Sequence, residues 1–226
     1  MSTTVPTLEA GQRLDRAEFH RRYEATPPDA RFELVDGIVI KRGWVTARHG
    51  SLNACVMYWL GSYKLDTPGV DVLPHVSTAL DDRAEVHPDV LIRIKPDRGG
   101  QTFNLNGIVG GAPELVVEVS DSSPTIDLAA KLADYERAGV LEYVVFIIEP
   151  GEVYWHIRRH NRLVRVRPDP DGLYRSTTFP GLWLDPAAML AEDGLALLAT
   201  LERGLATPEH VDFAARLTKV MDREPA

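Results

Sequence analysis

Apolar positions change period several times along the chain, and each change predicts an element. Residues 13–23 place Leu14, Phe19 and Tyr23 for packing on a short helix, and Pro27-Pro28 ends it. Phe32-Glu33-Leu34-Val35 and Ile38-Val39-Ile40 flank Asp36-Gly37, a strong hairpin signal. Over residues 49–63, Leu52, Val56, Trp59 and Leu60 return to helical spacing until Pro68-Gly69 breaks it. Strands are expected at 70–80 (mixed in pattern), 90–94, 114–120 and 143–148. The last is continuously apolar, as suits a strand buried on both faces. Residues 125–138 form an amphipathic helix closed by Gly139, so 114–148 reads as a βαβ unit with a right-handed crossover. A hairpin over 153–166, a Pro-Asp-Gly loop at 168–172 and helices near 186–203 and 208–222 follow; the last opens on Thr207-Pro208-Glu209. Residues 1–12 are polar and aperiodic.

Composition narrows the classes. With 226 residues, 44% hydrophobic and 26% charged, the chain is long enough for one substantial core plus an elaboration. No apolar run approaches the roughly 18 to 20 residues of a membrane span. The amino terminus has neither the basic start nor the apolar run of a signal peptide, and the expected compartment is the cytoplasm. Cys55 is the single cysteine, which excludes an intrachain disulfide and a cysteine-rich zinc site. Lys plus Arg number 25 against 33 Asp plus Glu, a net charge of −8. Proteins that live on duplex DNA usually show a basic footprint, so this charge argues against a strong nucleic-acid binder. A local basic stripe from His156 to Arg167 reads as an exposed hairpin with solvated arginines.

Candidate chemistry gathers between His87 and Tyr143. Pro88-Asp89 opens a short strand, and Glu118 lies in Leu115-Val116-Val117-Glu118-Val119-Ser120. Strand alternation separates Leu115, Val117 and Val119 from Val116, Glu118 and Ser120. A carboxylate on a central strand must be solvated, paired or metal-bound. If the two strands are neighbours, Asp89 and Glu118 meet at one cleft edge, where hard oxygen donors suit Mg²⁺ or Mn²⁺. Solvated strand ends are the plainer reading of the same spacing. Lys131 and Tyr135 share a helix face four residues apart. The lysine either approaches the carboxylates or forms a surface pair with Asp127.

Pro88-Asp89, Pro113 to Ser120, Asp127, Lys131, Tyr135, Gly139-Val140 and Glu142-Tyr143 together resemble the Uma2 family of putative restriction endonucleases, in the PD-(D/E)XK nuclease superfamily. Phe32 to Gly37, His49 and Pro180 to Asp185 are similar to its opening and closing segments. The resemblance implies an α/β fold: a restriction-endonuclease-like mixed central sheet with an αβββαβ core, added β-hairpins and a C-terminal helical pair. It divides the chain into a nuclease-like domain at 13–185 and a helical extension at 186–226. It implies a Mg²⁺- or Mn²⁺-dependent phosphodiesterase acting on DNA, with Asp89 and Glu118 as metal ligands and the Val119 carbonyl as a third. Glu33 is the additional acid and Tyr135 a supporting residue. The superfamily lysine belongs two places after the acid, where this chain has Ser120; Lys131 is expected to replace it from the helix. Loss of Lys131 is then expected to abolish cleavage while leaving the fold nearly intact.

The rival reading is a catalytically inactive interaction or DNA-binding module on the same fold, and an RNA or nucleotide hydrolase is a third. His49 reads as a structural or helix-start residue and His87 as a solvated strand-edge residue. The C-terminal helices carry apolar stripes through Leu195, Leu198 and Leu201 and through Val211, Ala214, Ala215 and Leu217. These either cover the sheet of their own chain or pair with a second copy, a two-fold homodimer being the commonest outcome.

Overall fold

A computed structural model describes residues 5–121 and 126–219. In chain order the elements are α1 (Arg16–Tyr23), β1 (Phe32–Val35), β2 (Ile38–Lys41), α2 (Ala47–Asp66), β3 (Val70–Pro74), β4 (Thr78–Asp81), β5 (Ala84–Val86) and β6 (Val90–Ile94). The hairpin β7 (Phe103–Leu105) and β8 (Ile108–Gly110) precedes β9 (Leu115–Ser120). A π-helical turn over Ile126–Lys131 runs directly into α3 (Leu132–Ala138). Then come β10 (Glu142–Ile147), β11 (Glu152–Arg159), β12 (Arg162–Val166), β13 (Tyr174–Arg175), β14 (Trp183–Leu184), α4 (Pro186–Leu190), α5 (Gly194–Leu205) and α6 (Pro208–Lys219).

The local signals act as their chemistry requires. Asp36 and Gly37 both take positive φ, 50° and 74°, the primed turn whose twist matches a two-residue hairpin between β1 and β2. Gly139, at φ 107°, closes α3 in the left-handed conformation, and the N–H groups of Gly139 and Val140 both donate to the Tyr135 carbonyl. β9 and β10 pair in parallel through the α3 crossover, with Val117 beside Val144 and Val119 beside Phe146.

The strands divide into two six-stranded sheets, in the orders β2-β1-β5-β4-β8-β7 and β12-β11-β10-β9-β6-β3. The second contains the expected βαβ unit and is covered on both faces. Val117, Val119, Val144 and Phe146 point toward Trp59 and Tyr63 of α2 and toward Leu197, Leu201 and Phe213 of α5 and α6. Val116, Tyr143 and Val145 point the other way, toward Tyr135 and toward Leu80 and Val86 of the first sheet. Continuous apolar character in β10 follows from this double burial.

Several elements differ from the sequence pattern. The mixed stretch 70–80 is two strands in different sheets: His75, at φ 49°, turns the chain after β3, and β4 joins the other sheet. The segment between Asp97 and Gly111 contains the β7–β8 hairpin, too short for alternation to register. Residues 186–203 break around Glu192, at φ 55°, into α4 and α5. The inward stripe of the last two helices runs through Leu197, Leu201, Phe213 and Leu217, whereas Leu195 is 83% and Val211 58% exposed. The β11–β12 hairpin does carry exposed arginines, at Arg159, Arg162, Arg165 and Arg167, and some of its arginines also have partners within the chain. Arg158 donates to the Val140 carbonyl, Arg162 pairs with Glu136, and Arg165 lies 3.5 Å over the Tyr154 ring. No helix among the described residues is long and apolar enough to cross a membrane.

Candidate functional site

Two antiparallel strands place the first two acids. Val90 on β6 pairs with Val117 on β9, and Leu91 with Val116. One step outward along each strand, Asp89 and Glu118 face each other on the side that looks toward the first sheet. Both are buried, Glu118 completely and Asp89 to 4% exposure. A third acid arrives from the hairpin: Glu33 on β1 is fully buried and accepts 2.8 Å from the His87 backbone N–H, one residue before Pro88-Asp89.

Lys131 enters from the end of the π-helical turn. Its Nζ donates to Glu118 Oε1 at 2.8 Å and to Glu33 Oε1 at 3.1 Å, and lies 3.9 Å from Asp127 Oδ1. The wider turn directs Asp127 and Lys131, four residues apart, to the interior together. The lysine is fully buried. One helical turn on, the Tyr135 hydroxyl donates to the same Glu118 Oε1 at 2.9 Å. The three acids, the lysine and the tyrosine singled out in the sequence thus meet in one cluster, drawn from five elements.

Burial and charge act against each other here, and the acids divide. Burial pushes the Glu118 carboxyl up; Lys131 pulls it down, but nearby Asp89, Asp127 and Glu33 add to the rise, and it reaches about 8. Burial also raises Glu33, but Lys131, Arg42 and the His87 N–H outweigh it and hold the carboxyl below its ordinary value. Asp89 likewise ends below the usual carboxylate range despite burial, because His49 and the Val119 N–H bond its ionised form. For Lys131 burial favours the neutral amine, and the facing carboxylates of Glu118 and Glu33 win, so it stays charged. The cluster holds more acids than cations, and the upward push of that surplus falls on Glu118.

Pattern alone did not reveal three neighbours. His49, in the first turn of α2, places Nε2 3.2 Å from Asp89 Oδ1, while its own backbone N–H bonds the Thr46 cap. Arg42, just after β2, brings Nη1 to 3.5 Å from Glu33 Oε2. His87 is not a solvated edge residue: its Nε2 is 2.9 Å from Ser77 Oγ, and burial lowers its pKa. A basic residue immediately after β2, the hairpin partner of the strand that carries the buried Glu33, was the available signal for Arg42. Ser120, at the position of the superfamily lysine, is buried with no hydrogen-bond partner on Oγ.

The cluster opens into a cleft of about 560 Å³ lined by Glu33, Arg42, His49, Asp89, Ser120 and Asp127, with Trp44 at its lip. The family model described as "putative restriction endonuclease", Uma2, matches residues 16–187.

The chain belongs to the Uma2 family.

Its match runs from α1 into α4 and includes every residue of the cluster. Among solved structures, a putative nuclease belonging to DUF820 from Anabaena variabilis is similar at a TM-score of 0.56 and 13% identity, over 80% of this chain and 97% of that one. At that identity the likeness shows the fold, which is mixed α/β and nuclease-like. No curated protein matches the chain. Membership of Uma2 makes a nuclease-type function the coarse reading of this cleft.

The donor set decides which metals suit it. Glu33 Oε2, Glu118 Oε2 and Asp127 Oδ1 are buried without a hydrogen bond, the first and last facing Arg42 and Lys131 at 3.5 and 3.9 Å, and all are hard oxygens of the kind Mg²⁺ and Mn²⁺ prefer. Among the described residues no three His, Cys, Asp or Glu side chains form a ready-made cage. Mg²⁺ does not need one, since it keeps several waters and takes only one or two protein carboxylates. The residues present therefore fit such an ion.

Proposed function

We propose that this chain is a Mg²⁺- or Mn²⁺-dependent phosphodiesterase that cuts DNA. The observation that carries the reading is the contact of Lys131 Nζ with Glu118 Oε1 at 2.8 Å, opposite Asp89 on the adjoining strand. Asp89 and Glu118 would hold the ion, with the Val119 carbonyl as a third ligand. When bound, such an ion polarises the phosphate and lowers the pKa of the attacking water. Lys131 supplies fixed positive charge beside the acid pair, where charge on the phosphoryl oxygens builds up. Glu33 holds the ammonium from the opposite side, and Tyr135 steadies the Glu118 carboxylate. His49 and the Val119 N–H keep Asp89 ionised and oriented. Arg42 offers a guanidinium on the cleft wall for a neighbouring phosphate.

This assignment lets Ser120 stand where the superfamily has lysine, because the charge reaches the same acid from the helix. Supercoiled plasmid incubated with Mg²⁺ or Mn²⁺ should be nicked by the wild type and left intact by Asp89→Ala. Equal nicking by both, or by neither, would remove the hydrolase and favour the inactive module, whose sequence support is the acidic charge and Ser120.

Metal binding should also be visible without turnover. Mg²⁺ or Mn²⁺ at 100 times its dissociation constant should stabilise the wild type by about 2.7 kcal/mol. Asp89→Ala should lose that response. Equal melting shifts in the two proteins would place the ion elsewhere.

A further inference from the structure

Trp44 is 97% exposed, the extreme among the large apolar side chains of the described residues. A bare indole in water forgoes the roughly 1.5–3 kcal/mol that burial of a large apolar side chain brings, and such residues concentrate at binding surfaces. Its position is fixed from below. The β1–β2 ladder ends at Phe32 and Lys41, and the Arg42 N–H donates to the Arg31 carbonyl at 2.8 Å beyond it. Gly43 to Val45 then form the rim, before Thr46 caps α2. Val45 is itself 52% exposed.

The surroundings say what chemistry the indole meets. Arg31, Lys41 and Arg42 line the same cleft. Arg31 and Lys41 have no carboxylate partner among the described residues, and Arg42 reaches only the buried Glu33. Asp29 is on the outer side of this rim, beside Arg31. On a chain of net charge −8, this is a local cationic lip beside a recessed acid–lysine cluster. Cations spaced around an exposed aromatic face suit a strand of phosphates and unstacked bases.

We infer that Trp44 is a stacking platform for an unpaired base, and that the cleft takes single-stranded DNA in preference to intact duplex. The inference rests on the nuclease reading for the nature of the polymer and adds the form in which it is bound. In a duplex the base faces are covered by their neighbours and offer nothing to an indole. The cleft of about 560 Å³ has room for a short length of one strand. Glu118 and Lys131 are fully buried behind Glu33, Asp89 and Asp127, which line the cleft, so only a strand that enters the cleft comes near them.

Fluorescence anisotropy of a labelled oligonucleotide of about 12 nucleotides, in EDTA so that nothing is cut, tests this. The wild type should bind the single strand more tightly than the same sequence as duplex, and more tightly than the same sequence as RNA. Trp44→Ala should weaken single-strand binding by about five-fold to a hundred-fold and change duplex binding less than about two-fold. Trp44→Phe, which keeps an aromatic face, should recover most of the loss. Trp59 and Trp155 are buried, and Trp183 is half-buried under Arg175 and does not line the cleft, so quenching of the wild-type tryptophan emission by the single strand should largely disappear in Trp44→Phe.

Unchanged single-strand affinity in Trp44→Ala, equal weakening for duplex, no recovery in Trp44→Phe, tighter binding of RNA, or no DNA binding by the wild type would each overturn it. The two readings fail separately. Trp44-dependent single-strand binding by a protein that never nicks plasmid sinks only the hydrolase, and plasmid nicking with a Trp44 that is irrelevant to binding sinks only the platform.

Discussion

Lys131→Met should lower plasmid nicking by about a hundred-fold to a thousand-fold, the range for loss of one preorganised charge at a reacting centre. The same change should destabilise the protein, contrary to what helix position alone leads one to expect. A lysine on a helix surface can be removed at little cost. Lys131 is fully buried, bonded to Glu118 and Glu33 and close to Asp127. Its loss leaves acids facing one another without a cation, and removing one partner of a buried ion pair costs about 3–5 kcal/mol. The cost should depend on pH. Without the ammonium the neighbouring carboxyls rise above their unfolded values. A group raised on folding contributes stability below its unfolded pKa and loses it as pH climbs through the folded value. Urea unfolding of Lys131→Met should therefore lie nearer the wild type at pH 5 than at pH 8. Plasmid nicking at the wild-type rate by a folded Lys131→Met would leave the lysine a structural role only.

What made Lys131 legible and what hid it are different parts of the physics. The β9–α3–β10 unit was readable because its signals are local: a long apolar strand, a capped helix and Gly139 at the turn. The i, i+4 relation of Lys131 to Tyr135 and Asp127 came with it. That Lys131 faces inward depends on Glu33, whose side chain it meets from 98 positions away. No periodicity carries that information. The same holds for His49 against Asp89 and for the division of strands between two sheets, which turns on short elements such as β5 and on His75 in a left-handed conformation. In the C-terminal helices Leu201 and Leu217 face inward as their spacing suggests, while Leu195 and Val211 face out and Leu197 and Phe213 take the inward places. Arg42 carries only a weak signal in the pattern, because a basic residue after a hairpin strand is ordinarily solvated; the buried Glu33 on the partner strand draws it inward.

Glu118→Gln separates the stability of the cluster from its chemistry. The amide oxygen can still accept from Lys131 and Tyr135, so the packing survives. The titration does not. In the wild type the Glu118 carboxyl rises from 4.5 to about 8 on folding, with burial as the largest cause and the neighbouring acids next. The sign follows from linkage: the folded state holds a proton that the unfolded chain releases above about 4.5, so this contribution is intact in acid and is lost as pH rises toward 8. At about 1.4 kcal/mol per pKa unit, the effect is on the order of a few kcal/mol. Wild-type unfolding free energy measured in EDTA should fall between pH 5 and 9, and the Glu118→Gln curve should be flatter. At pH 9 the variant should be the more stable protein, since it carries no charge to bury. Its nicking should be lost across that whole range, because an amide is a far poorer Mg²⁺ ligand than a carboxylate. An ion at this site must displace the Glu118 proton, so its stabilisation of the wild type should grow with pH and be absent in the variant. Parallel stability curves for the two proteins would mean that Glu118 is ionised at neutral pH and that another acid carries the proton.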